Sequence, residues 1–82
     1  MHPERHKALK ELWELVPTLK NYPHTLHEVQ KKNYIKTTMT FCAGARFILI
    51  KYSWPHKDEY YMTQVKHFNY DSINSFIKRL KH

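Results

Sequence analysis

The sequence predicts an α+β fold: a small antiparallel sheet of three strands, or four, with N-terminal helices and a C-terminal helix, in the order α-α-β-β-β-α. Three observations carry this. Leu9, Leu12, Trp13 and Val16 form an apolar stripe of helical period near the start. From Tyr34 the period changes to two, and β-branched and aromatic residues dominate. A second helical stripe, Tyr70, Ile73, Phe76, Ile77 and Leu80, closes the chain. Eighty-two residues without repeats or a linker form one domain, 1–82.

The first helix is predicted over 4–16. Pro3 suits a first turn, where its missing N–H costs nothing, and Pro17 stops the helix. Residues 17–24 contain Pro17 and Asn21-Tyr22-Pro23 and read as a loop. Thr25 with Glu28 three residues later has the capping-box pattern, which predicts a short second helix over 26–32. A strand follows from Tyr34, with Ile35, Thr37, Met39 and Phe41 on one face and Tyr34, Lys36, Thr38 and Thr40 on the other. Ala43-Gly44 turns the chain, because glycine alone takes positive φ freely. Arg46 to Trp54 is the second strand. Its unbroken run Phe47-Ile48-Leu49-Ile50 predicts a central strand covered on both faces. Pro55-His56-Lys57-Asp58 is the next turn, and the third strand runs over 59–67. Asn69 is the expected N-cap of the last helix, with Phe68 stapling onto Ile73 and Lys78, Arg79 and Lys81 suiting its C-terminal dipole.

Fourteen Lys and Arg against seven acids give a net charge of +7, which points to an anionic partner. Aromatics at 15% and hydrophobics at 41% supply a core and argue against disorder. Cys42 is the only cysteine and cannot form an internal disulfide, which favours a reducing compartment. No stretch approaches the roughly 18 apolar residues of a membrane span. The expectation is a cytoplasmic protein with no transmembrane segment.

No glycine-rich phosphate loop, serine elbow or carboxylate cluster is present, so nucleotide hydrolysis and glycosidase chemistry have no support. His24-x-x-His27 is the only pair at a metal-like spacing, and it lacks partner ligands; exposed histidines are the better reading, with no metal and no cofactor. Cys42 reads as structural rather than nucleophilic. What remains is basic and aromatic. Metal-free RNA cleavage needs a base for the 2′-OH, cations on the phosphate and an acid for the leaving oxygen. His67 is best placed to titrate near neutrality, and Arg46 can grip phosphate through two N–H groups. Tyr60 can stack on an unpaired base, and Lys78-Arg79-x-Lys81 adds positive charge for RNA.

Phe41-x-x-Gly44, Arg46-Phe47-Ile48-Leu49-Ile50 and Val65-Lys66-His67-Phe68-Asn69-Tyr70-Asp71 resemble elements of the HigB-type toxins of the RelE superfamily, bacterial mRNA endonucleases that act at the ribosome. The likeness covers about residues 34–75. The turn reads Cys42-Ala43-Gly44-Ala45 where that family has Gly-Gly-Asn, and Lys66 stands where Thr usually precedes the His. The resemblance implies an endoribonuclease with Arg46, His67 and Tyr70 as catalytic residues and Lys51 and Lys66 as phosphate contacts. It also implies RNA, including ribosome-bound mRNA, and an antitoxin protein as partners. Two other function classes fit the same composition: a non-catalytic nucleic-acid-binding module, and a protein-interaction or anionic-membrane module.

Overall fold

The computed structural model describes residues 3–56 and 59–82. Its elements are α1 (Pro3–Glu14), α2 (Val16–Leu19), β1 (His24–Gln30), β2 (Ile35–Cys42), β3 (Arg46–Ser53), β4 (Tyr60–Thr63) and α3 (Tyr70–Leu80). The strands form one antiparallel meander in the order β1-β2-β3-β4. The predicted α+β class holds, and the sheet has four strands, the larger of the two predicted counts.

The first helix stops two residues before the predicted end. Pro17 cannot donate an amide hydrogen to Trp13, so the chain breaks at Leu15 and Pro17 enters the first turn of α2. That short helix buries Leu19 completely, within the segment predicted to be loop. The predicted helix over 26–32 is instead the edge strand β1. It pairs along β2 from His24↔Phe41 to Gln30↔Ile35. Backbone pairing with a distant strand outweighs the local capping-box pattern here. A Lys31 N–H bond to the Tyr34 carbonyl, 2.8 Å, closes the β1–β2 hairpin.

The β2–β3 hairpin turns at Ala43-Gly44-Ala45, with Gly44 at φ 86°. The predicted turn Pro55–Asp58 is only partly described, since Lys57 and Asp58 lie outside the described residues. The last strand ends at Thr63 rather than at 67. The buried Thr63 hydroxyl donates to the Ile48 carbonyl (2.7 Å) and accepts the Val65 N–H (3.2 Å), which turns the chain out of the ladder. Asn69 caps α3 as expected, its side-chain oxygen accepting the Ser72 N–H at 3.0 Å.

The helices pack on one face of the sheet. Ala8, Leu9, Leu12 and Trp13 of α1 and Ile73, Phe76 and Ile77 of α3 bury Met39, Phe41, Leu49 and Tyr61. Phe68 joins this core, its ring 4.9 Å from Phe47 and 6.1 Å from Phe76 between centroids. Lys81 Nζ reaches Glu11 at 2.7 Å on the surface between α3 and α1. Among the described residues no helix is long and apolar enough to cross a membrane.

Two outcomes follow from these details. A Cβ on Gly44 would meet nothing within 4 Å, so Gly44→Ala carries only the backbone penalty of positive φ, about 1–2 kcal/mol. Chemical denaturation should show that loss, and an unchanged midpoint would show that the loop adopts another conformation. The Tyr61 phenol donates to Glu59; its burial, that bond and the charges of Glu59 and Glu14 hold it well above its ordinary value of 10.0. The folded value exceeds the unfolded one, so the linked stability is complete below about pH 10 and is lost as pH rises toward the folded value. The denaturation midpoint should fall above about pH 10 and fall less steeply in Tyr61→Phe.

Candidate nucleic-acid interface

The strand register sorts every side chain onto one of two faces, because alternate residues point opposite ways. Met39, Phe41, Phe47, Leu49, Lys51 and Tyr61 lie on the helix-packed face. The opposite face carries the cross-strand row Val29↔Lys36↔Tyr52↔Tyr60 and the row His27↔Thr38↔Ile50↔Met62. The apolar run of β3 predicts cover on both sides, yet the helical core lies on one side only. On the open face Ile50 is still only 2% exposed, between Thr38 and Met62 in its row, while Ile48, Tyr52 and Met62 are half-buried.

Aromatic rings gather at one end of this open face. Tyr34, Tyr52, Trp54 and Tyr60 form a cluster with centroid separations from 5.5 to 6.2 Å. All four are half-buried, so each keeps part of its surface in water. Lys36 Nζ stands 5.9 Å from the Tyr52 centroid, within cation–π range. His6 of α1 wraps the β4 edge, its ring 5.7 Å from Tyr60 and 5.4 Å from Tyr61, and so fixes the outer ring of the cluster. Arg46 is exposed at the other end of the same face, opposite Cys42. No Asp or Glu occupies a strand position on this face among the described residues.

The sequence-derived site residues distribute as follows. Tyr60 belongs to the ring cluster, and Arg46 shares its face. Lys51 lies on the helix-packed side, its Nζ 5.4 Å above the Trp13 ring. Lys66 and His67 are exposed in the loop between β4 and α3, and Lys78 is exposed on α3. His67 and Arg79 line one groove together, against the loop residue Ala45. Tyr70 lines a separate hollow between α1 and α3, with Glu4, Lys7, Glu11 and Asn74. His67 and Tyr70 therefore open to different parts of the surface.

His24 and His27 stand three residues apart on a strand, which sends them to opposite faces of β1. The His24 ring nitrogen Nδ1 is bonded to the Tyr22 carbonyl at 2.9 Å. Among the described residues no group of three potential metal ligands converges. Sequence reasoning did not single out Lys36, Tyr34 or Trp54 as site residues. The signal was present in the spacings Tyr34-x-Lys36 and Tyr52-x-Trp54, since residues two apart share a face of a strand.

No protein-family model, curated protein or solved structure matches the chain.

Proposed function

We propose that the protein binds single-stranded RNA across the open face of its sheet. The observation that carries the reading is the Tyr34/Tyr52/Trp54/Tyr60 cluster with Lys36 beside it, on a face whose described strand residues include no carboxylate. Partly exposed rings offer π-faces to unpaired bases, and each stacked base contributes about 1–3 kcal/mol. Lys36 and Arg46 supply the positive charge that follows a phosphate backbone. The net charge of +7 adds long-range attraction. A duplex keeps its bases stacked inside and offers these rings nothing, so single strands are preferred.

Binding has more support than cleavage. The toxin-type mechanism needs Arg46, His67 and Tyr70 at one phosphate, whereas His67 and Tyr70 line different hollows. The antitoxin implied by the family resemblance would compete for the same cationic face.

Fluorescence anisotropy with a labelled single-stranded RNA tests the reading. Tyr52→Ala and Trp54→Ala should each weaken binding about tenfold, and Lys36→Gln should lower the salt slope by about 0.7. Duplex RNA of the same sequence should bind far more weakly, and single-stranded DNA about equally if the 2′-hydroxyl is not read. Indifference to both aromatic substitutions, or equal duplex affinity, would overturn the assignment. RNA cut with or without ribosomes, and spared by His67→Ala, would restore the nuclease reading.

A further inference from the structure

We infer that the groove between the β2–β3 turn and α3 is a binding site for a small hydrophobic carboxylate, such as a medium-chain fatty acid or an aryl acid. This open groove has a volume of about 460 Å³, within the usual range for small-ligand sites. Phe47 opens toward Phe68 and Phe76, with centroids 4.9 and 5.5 Å away. Phe68 and Phe76 are buried, while Phe47 and Val65 are half-buried. An apolar floor continuous with the core thus reaches solvent at this point.

The rim has a different chemistry. Arg79 and His67 line the groove together with Ser72 and Ser75, and among the described residues no acidic residue contributes. The Arg79 guanidinium carbon lies 5.3 Å from the Phe76 centroid, so the charge is held over the apolar floor. Among the described residues no carboxylate pairs with Arg79. A guanidinium presents parallel N–H groups that match a carboxylate, and such charge-assisted bonds strengthen where water is partly excluded. The floor calls for an apolar body, the rim for one anionic head, and the volume for a small molecule. RNA would use the rim but leave the phenylalanine floor uncovered. The floor belongs to the helix-packed side of the sheet, so this site is independent of the open face.

Amide chemical shifts followed during titration with hexanoate, octanoate and octanol, below their micellar ranges, test this proposal. Octanoate should give saturable shifts confined to Ala45, Val65, His67, Phe68, Ser72, Ser75 and their neighbours. Each added methylene should tighten binding about two- to fourfold. Octanol, and octanoate with Arg79→Gln, should bind about tenfold more weakly than octanoate with the natural chain. Ser75→Trp, at an exposed wall position, should block the groove while leaving the unfolding temperature near its original value. Shifts scattered over the surface, no saturation at millimolar ligand, or octanol binding as tightly as octanoate would each overturn the assignment. RNA affinity measured on the same Ser75→Trp sample should stay within about twofold, which separates the two sites.

Discussion

A single sheet has two faces, and this chain has helices for only one. Everything else in the architecture depends on how Met39, Phe41 and Leu49 are covered. All three are fully buried, and α1 and α3 supply the apolar stripes that bury them. Each such side chain contributes about 1.5–3 kcal/mol when removed from water. Once α1 and α3 are committed to that side, the other face must remain stable in water by itself. Its threonines at 25, 38 and 40 and its amphipathic tyrosines meet that condition, since each offers both apolar contact and a hydroxyl.

The same constraint explains why the site and the core could be read with unequal success. Helical stripes are local, so Leu9, Leu12 and Trp13, and later Ile73, Phe76 and Ile77, were legible as core residues before any tertiary information. The Asn69 cap and the Gly44 turn were legible for the same reason: each follows from a property of one side chain. Residues 24–30 were not. Leu26 and Val29 stand at a helical spacing and Thr25 precedes Glu28 at a capping distance, so every local signal favours a helix. Only the length of β2, which extends far enough to pair from Ile35 to Phe41, makes that segment a strand. A window of neighbouring residues cannot contain that fact. The overextension of β4 has a similar origin, because the Thr63 hydroxyl finds its acceptor at Ile48, fifteen residues away.

For the candidate interface, the sequence offered basic and aromatic residues and grouped them by proximity along the chain. Space grouped them differently. Lys51 and Tyr60 looked alike as basic and aromatic members of adjacent strands, yet they fall on opposite faces. Lys36 and Tyr52 lie on different strands and meet only because β2 and β3 pair in one register. A shift of that register by one residue would send either partner to the other side and dissolve the cluster. The geometry of the aromatic cluster is therefore a consequence of the β2–β3 hairpin, whose loop is set by Gly44.

The strand β1 is nearly unburied along its whole length, with only Val29 partly shielded. It is held to the domain by backbone bonds to β2 and by little else, since Leu26 stays 47% exposed on the side the helices occupy. Few buried contacts place such a margin at the low-stability end of a fold, where backbone bonds open at a smaller free-energy cost than in a central strand such as β3. Whenever it detaches, β2 becomes the border and presents a vacant ladder to any extended chain nearby. The molecule thus carries a detachable hem: native while it stays sewn to its neighbour, and adhesive when it comes loose.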